Sequence, residues 1–294
     1  MQDGGVGMEH QYINVDRDDL GVVTITFNVP EALNPWLIPL MEEMTVELDY
    51  IAANPDDRVV IFTGAGRSFS AGGDVGPMAG AGGDRPMPHF MKEKADRQRG
   101  GWNVPTMSAE ERLKNETLNG RRIHMQVWEL DKPTIAAVNG VAAGAGCDLA
   151  LACDIRLAST NARFIEVYVR RSLVPLDGGA YWAPYLLPHG IAMEMLLAGE
   201  ALSAEDAHRF GLVNRVYEPD ELMPAAQELG RKMAQGPAVT QQLVKHMVRE
   251  IHTQGYEQHW KYIDAAHQHT RETHDYDEGV RSFIEKRPSE FKGF

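Results

Sequence analysis

The stretch NGVAAGAGCDLALACD, residues 139–154, joins a strand to a helix through a loop rich in glycine and alanine. The apolar run PTIAAVNG that leads into it predicts a strand, and the apolar residues from Cys147 onward predict a tightly packed helix. Small residues allow backbone N–H groups to approach a ligand closely. Asp148, near the helix start, is therefore either a catalytic carboxylate or a charge that stabilises the helix N-terminus.

Strands and helices alternate on both sides of this stretch. Apolar residues from Leu37 to Ile51 follow helical spacing until Asn54 and Pro55 end the pattern. The chain after Pro224 has a helical pattern to its end. This alternation predicts an α/β fold with much parallel strand pairing. Strands are predicted for GVVTITF (21–27), RVVIFTG (58–64) and DIRLAS (154–159).

The composition excludes several classes of function. The 294 residues carry a formal net charge of −13, which argues against a nucleic-acid-binding surface because phosphate contacts need a local excess of Lys and Arg. No apolar run approaches a membrane span, and the N-terminus has no apolar signal region. Cys147 and Cys153 face different sides of one predicted helix, so we expect no disulfide and a cytoplasmic location. His267 and His269 lack metal-site spacing, and we expect no metal.

Two loops at strand ends share a design: SFSAGGD (68–74) and AAGAGCD (142–148). The second runs into a helix, whose first N–H groups are unpaired and carry partial positive charge. Two such amides directed at one oxygen form an oxyanion hole, which stabilises an enolate or a tetrahedral anion. Neither loop has the Lys-Ser/Thr ending of a P-loop or the GxGxxG pattern of a dinucleotide site.

These loops belong to a set of motifs that resembles the crotonase superfamily, the enoyl-CoA hydratases and isomerases, over nearly the whole chain. The resemblance implies a spiral of ββα turns in residues 1–222, with an insertion at about 76–119, and a helical oligomerisation region in 223–294. The insertion is either a lid over the site or a surface segment. The matching motifs are PEALNPW (30–36), SFSAGGDV (68–75), KPTIAAVNGVAAGAGCDLALACDIRLAS (132–159), LSAEDAHRFGLVNRV (202–216) and DEGVRSFIEKRPSEF (277–291).

The resemblance also implies a ligand and an assembly. The ligand is a CoA thioester, in which coenzyme A is part of the substrate and no other cofactor is needed. The assembly is a homotrimer, commonly paired into a hexamer. The oxyanion amides fall on Gly73 and Ala145, and Glu31 occupies a place where many relatives carry a cation. The positions implied to bind CoA are Ala32, Leu33, Ala71 and Asp74 through their backbone, with Phe283 and Lys286 reaching the adenine and 3′-phosphate in a neighbouring subunit.

The acid and base of a hydratase fall on unusual residues. Hydration of an enoyl thioester needs one group to activate water and one to protonate the α-carbon. The two glutamates that typical hydratases use for this fall on Asp148 and Tyr168. A tyrosine with an ordinary pKa is no general base at neutral pH, so Tyr168 is either a hydrogen-bond donor or part of the pocket wall.

Three further groups could supply the missing function. Asp177, in PLDGG, is either a working carboxylate, as in the β-diketone hydrolases of the superfamily, or part of an Asx turn. Dienoyl-CoA isomerases and aryl-CoA dehalogenases carry their acid one position earlier, at Leu176, and the isomerases also have Asp at the place of Asp148. His124 is near a dehalogenase histidine position and is otherwise a packed or capping residue. Glu166 would share the face of Tyr168 in an extended strand.

We assign Cys147 to packing, and Arg170 and Arg171 to subunit contacts or to a substrate carboxylate. The sequence therefore predicts a hydro-lyase that adds water to a 2-enoyl-CoA, with Asp148, Asp177 and Tyr168 moving protons and Gly73 and Ala145 holding the thioester oxygen. The alternatives are a dienoyl- or enoyl-CoA isomerase, an Asp177-dependent hydrolase, and a non-catalytic acyl-CoA-binding protein.

Overall fold

The structure is a computed structural model that describes residues 10–73, 120–171, 173–175, 177–250, 269 and 272–294. The predicted insertion at about 76–119, Asp74, Leu176 and His267 lie outside these residues.

The described strands form three sheets, and most neighbours are parallel. The largest has the order β1-β2-β4-β7-β9-β12, and only β1 and β2 in it are antiparallel. A second sheet has the order β11-β10-β8-β5, and β3 pairs with β6. The α/β class with parallel pairing is confirmed. The strands are β1 Ile13–Arg17, β2 Val22–Phe27, β3 Pro35–Trp36, β4 Val59–Gly64, β5 Ser68–Ser70, β6 Gly72–Gly73, β7 Thr134–Val138, β8 Val141–Ala143, β9 Ile155–Ser159, β10 Arg163–Ile165, β11 Ala201–Ser203 and β12 Arg215–Tyr217.

Helices follow the strands in the order that a ββα spiral requires. Strands β7 and β8 lead into α3, and β9 and β10 lead into α4, so each turn places one strand in each of the two larger sheets. The α-helices of the described residues are α1 Ile38–Ala53, α2 Gly120–Glu129, α3 Ala145–Ala152, α4 Gly179–Leu186, α5 His189–Ala198, α6 Ala204–Arg209, α7 Leu222–Ala234, α8 Ala238–Glu250 and α9 His274–Glu285.

The largest sheet is covered on both faces. All six residues of β4 and all five of β7 are buried, as expected for parallel strands between two apolar layers. One face packs with α3, in which all eight residues are buried. The other face packs with Leu222 and Ala226 of α7. The buried α3 fixes the position of its own first turn, where the site lies.

The helix predicted from Cys147 begins two residues earlier, at Ala145. The reason is Gly144, which has a positive φ of 50°. This conformation, which glycine adopts easily, turns the chain from the loop directly into the helix. Both cysteines are buried and free, as expected. Among the described residues, no helix combines the length and the apolarity needed to cross a membrane.

Candidate active site

The two glycine-rich loops meet at Gly72. This residue has a φ of 84°, and a β-carbon on it would overlap the carbonyl oxygen of Ala143 and lie 3.5 Å from the backbone nitrogen of Ala145. Only glycine allows this approach. Gly73 is exposed, and a β-carbon there would meet nothing within 4 Å. The fold therefore places Gly73 beside open space and next to the start of α3, where N–H groups lack partners within the helix.

The backbone positions implied to bind CoA lie beside the same loops. Ala71 donates its N–H to the carbonyl of Leu33 at 2.8 Å, and Ala32 is exposed in the adjacent turn. The turn is held by buried Asn34, whose side chain bonds to three backbone groups: the N–H of Val29 and the carbonyls of Ala65 and Ser68. The fold brings Ala32, Leu33 and Ala71 together.

The other implied CoA residues are not brought to this place. Asp74 and the side chain of Phe283 lie outside the described residues. Lys286 is exposed just after α9, with a φ of 54°, and Glu31 is exposed in the turn Pro30–Ala32. Their roles toward CoA remain predictions.

Three predicted catalytic side chains form one hydrogen-bonded group. The hydroxyl oxygen of Tyr168 lies within hydrogen-bond distance of two carboxyl oxygens, 2.6 Å from Oδ2 of Asp148 and 2.9 Å from Oδ2 of Asp177. All three side chains are buried. A phenol has one hydrogen, so both contacts can be hydrogen bonds only when one of the two carboxyl groups is protonated.

Each of the three comes from a different element. Asp148 lies in the first turn of α3, and Asp177 lies just before α4. Tyr168 lies in a 3-10 turn, Val167–Arg171, which corrects the expectation that Glu166 and Tyr168 share an extended strand. Strand β8 ends at Ala143, so β10 has no partner beyond Ile165 and the chain turns there.

The neighbours of Asp148 favour its protonated form. Burial raises the pKa of Asp148 well above its ordinary value, and the charge of Glu166 raises it further, whereas His124 and the hydrogen bond from Tyr168 lower it. Burial also raises the pKa of Tyr168, as do Asp148 and Asp177. A carboxyl group that only stabilises a helix N-terminus would have a lowered pKa, so the raised pKa of Asp148 favours a chemical role over a capping role.

His124 is buried and packed, in line with one of its two interpretations. Its Nε2 lies 2.7 Å from the carbonyl oxygen of Ala145, and its ring stacks on Trp36 with centroids 5.0 Å apart. The ring of Trp182 is 6.3 Å away on α4. No sequence pattern indicates a role for these two tryptophans, because they come from separate motifs and meet only through the fold.

The remaining candidates do not join this group. Burial and the charge of Glu166 raise the pKa of the Cys147 thiol well above its ordinary value, which keeps it unreactive and supports a packing role. Arg170 is exposed and lies 3.8 Å from Glu200, and the side chain of Arg171 lies outside the described residues. Within the described ranges, no group of three or more His, Cys, Asp or Glu residues is arranged to hold a metal ion.

The family can be stated from comparison with known proteins. The family model described as enoyl-CoA hydratase/isomerase matches residues 17–98 and 100–293. The chain belongs to the enoyl-CoA hydratase/isomerase family. This family is the crotonase superfamily that the sequence motifs resemble, so the predicted family is confirmed. The protein is therefore an enzyme of the hydratase/isomerase type that acts on acyl-CoA thioesters.

Similar proteins in this family carry out more than one reaction. The chain is 33% identical to a short-chain-enoyl-CoA hydratase of Clostridium acetobutylicum, covering 92% of this chain and 93% of that protein. It is also 33% identical to a 1,2-epoxyphenylacetyl-CoA isomerase of Escherichia coli, with coverages of 93% and 95%. The crystal structure of an enoyl-CoA hydratase from Bacillus anthracis is similar with a TM-score of 0.80 and 30% identity, covering 97% of this chain and all of that one.

Proposed function

We propose that this protein is an enoyl-CoA hydratase that adds water across the double bond of a 2-enoyl-CoA. The observation that carries this proposal is the Tyr168 hydroxyl, which lies between the carboxyl groups of Asp148 and Asp177. Hydration needs a base for water and an acid for the α-carbon. Two carboxyl groups that share protons through one phenol supply both.

The thioester would lie against the two loops. Its carbonyl oxygen would accept hydrogen bonds from the N–H groups of Gly73 and Ala145, and its CoA part would extend along the backbone of Ala32, Leu33 and Ala71. Negative charge develops on the carbonyl oxygen when the β-carbon is attacked, and preorganised amides stabilise that charge. The helix N-terminus at Ala145 adds partial positive charge at the same point.

The resting protons follow from the pKa directions. Because the pKa of Asp148 is raised, we assign the proton of the pair to Asp148, which donates it to Tyr168, and the single hydrogen of the phenol then points to Asp177. Asp177 is then the base, and Asp148 is the acid.

The proposed cycle has two chemical steps, followed by a proton transfer that restores the resting state. Asp177 takes a proton from water while the water oxygen bonds to the β-carbon, and the electron pair of the double bond moves to the thioester oxygen. The enolate collapses and takes the proton of Asp148 at the α-carbon. Asp177 then passes its new proton to the Tyr168 oxygen while Tyr168 passes its hydrogen to Asp148, which restores the resting state.

Crotonyl-CoA in D₂O tests the proposal. We expect the conjugated enoyl absorbance to fall and one deuterium to appear at the α-carbon of the product. CoA binding without any loss of absorbance would contradict hydration and would favour the non-catalytic alternative. Against that alternative stands the cost of burying two adjacent carboxyl groups, which a protein without proton chemistry has no reason to maintain.

An isomerase is the second candidate function. The hydrogen-bonded group of Asp148, Tyr168 and Asp177 supports it as well. Isomerisation removes a proton from one carbon and returns one to another, and the Tyr168 bridge can move a proton between Asp148 and Asp177 in either direction. A dienoyl-CoA substrate would separate the two functions, because isomerisation changes the position of the absorbing double bonds and adds no water. An Asp177-dependent hydrolase would instead release free acid from a β-keto thioester.

The assembly, the cofactor and the location complete the proposal. We infer a homotrimer, or a hexamer made of two trimers, in the cytoplasm, with coenzyme A as part of the substrate and no other cofactor. What supports the assembly is the family resemblance of the C-terminal motif at 277–291, in which Lys286 is exposed. The mass in solution tests this proposal, and a monomeric mass for the active enzyme would contradict it.

A further inference from the structure

Glu166 is a buried acid that the proposed cycle does not use. Its side chain is 1% exposed, and it follows the end of β10. A β-carbon on Gly179 would overlap Oδ1 of Asp148 and lie 2.8 Å from Oε2 of Glu166. The two carboxyl groups therefore lie side by side against the same glycine at the start of α4.

These carboxyl groups have unmet hydrogen-bonding needs. When both are ionised, Oδ1 of Asp148 has no donor among the described residues, and Glu166 has only the weak donor of the Cys147 thiol. Two adjacent buried charges without strong donors are strongly unfavourable. One proton between Glu166 and Asp148 removes a charge and gives each group a partner.

Among the described residues, none of the groups that act on Glu166 is a cation that would replace that proton. Glu166 faces Cys147 and Asp148 of α3, Tyr168 of the 3-10 turn and Asp177 before α4. None of these carries positive charge. His124 acts on Asp148 from α2 and is held at the carbonyl of Ala145.

We propose that Glu166 is a positioning residue that holds a proton and donates it as a hydrogen bond to Asp148. This inference rests on the proposed function of Asp148, Tyr168 and Asp177. Glu166, Asp148, Tyr168 and Asp177 form a chain of three hydrogen bonds, which needs three hydrogens. The phenol supplies one and two carboxyl groups supply the others, so in this state the chain carries a single negative charge, with Asp177 as the base and Asp148 as the acid.

The protonated form of Glu166 is the one that supports proton transfer. Burial raises the pKa of Glu166 to about 7. Above that pH, Glu166 becomes an acceptor and competes with Tyr168 for the hydrogen of Asp148. We therefore expect the rate of crotonyl-CoA hydration to fall as the pH rises through about 7.

The variant Glu166→Gln tests this role. An amide can donate to Asp148 at every pH but cannot ionise, so we expect a loss of roughly threefold at pH 6 from the weaker donor and no decline in rate through pH 7. The matched control is Glu47→Gln, another buried glutamate, which lies in α1 and pairs with Arg17 and His10. It should keep the wild-type pH profile. A wild-type decline near pH 7 that persists in Glu166→Gln would overturn the proposal.

An infrared titration without substrate separates this inference from the proposed function. In wild-type protein labelled with ¹³C-glutamate, we expect one label-shifted band of a protonated carboxyl group to disappear between pH 6 and pH 8, and Glu166→Gln should lack that band. If crotonyl-CoA is not hydrated, the proposed function fails while this result still decides the state of Glu166. Absence of the band from the wild type, which needs no folded variant, would overturn the inference.

Discussion

Asp148 and Asp154 lie at opposite ends of the same short helix and have opposite surroundings. Asp154, just after α3, lies 2.7 Å from the Lys245 amine and 2.8 Å from the Arg249 guanidinium, and it accepts hydrogen bonds from the backbone and side chain of Thr134. Asp148 lies beside two other carboxyl groups and a phenol. One end is neutralised by cations, and the other is not.

The difference distinguishes a carboxylate with a structural role, Asp154, from a carboxyl group with a chemical role, Asp148. A carboxylate that anchors α8 to the core is matched with positive charge, because an unmatched buried charge would cost stability. A carboxyl group that must gain and lose a proton near neutral pH needs a raised pKa, which burial and neighbouring acids provide. Each prediction below changes one end of α3 or one of the groups that face it.

The largest effect is expected for Asp148→Asn. Asparagine keeps the shape of the side chain but cannot pass a proton, so we expect kcat for crotonyl-CoA hydration to fall about 1000-fold. Circular dichroism should show an unchanged fold, and the free energy of unfolding should not fall, because the change removes an acid from a crowded group. A rate within threefold of the wild type would remove Asp148 from the mechanism.

The same substitution at the other end, Asp154→Asn, should act on stability instead. It leaves the Lys245 amine and the Arg249 guanidinium without their carboxylate, and we expect the free energy of unfolding to fall by about 3 kcal/mol. Denaturant unfolding measures this loss, and kcat of the folded protein should stay within about threefold of the wild type. A large loss of kcat with normal stability would mean that the two ends of α3 have been assigned the wrong way round.

Tyr168→Phe removes the hydroxyl that connects Asp148 with Asp177 and leaves both carboxyl groups in place. We expect kcat to fall about 30-fold, since the proton must then return to Asp148 through solvent. KM should change little, because the hydroxyl does not contact CoA in the proposed complex. If Tyr168 is only part of the pocket wall, the phenylalanine variant will raise KM and leave kcat unchanged.

The smallest effect concerns the pH dependence of stability at the Asp154 end. Burial lowers the pKa of Lys245 to about 8, whereas in the unfolded chain it returns to about 10.5. The unfolded chain therefore binds more protons above pH 8, and the free energy of unfolding should rise by about 1 kcal/mol between pH 8 and pH 9 from this group. Lys245→Met should lack that rise. The same pH dependence of stability in the wild type and in Lys245→Met would contradict the lowered pKa of Lys245.

Much of the fold could be predicted from local patterns. The runs that became β4 and β7 are continuously apolar, and α1 ends at Asn54 as expected. The sequence pattern predicts the start of α3 two residues too late, because glycine and alanine are common in both loops and helix starts. Asp148 and Asp177 were selected from a family resemblance and the PLDGG motif, and the structure brings them to one hydroxyl.

The connections between those residues could not be predicted. The position of Tyr168 depends on a 3-10 turn that forms because β8 ends and β10 loses its partner. The contact of Asp148 with Glu166 depends on Gly179, which belongs to a third element. Asp154 gave no signal of its role, because its cations are about ninety residues further along the chain.

The central claim is that Asp148 and Asp177 act as one unit through Tyr168. The most direct test compares kcat for crotonyl-CoA hydration in Asp148→Asn, Asp177→Asn and the double variant. Groups that act as one unit lose their function together, so we expect the double variant to be within about threefold of the slower single variant. Losses that multiply in the double variant would show that the two carboxyl groups act independently and would contradict the claim.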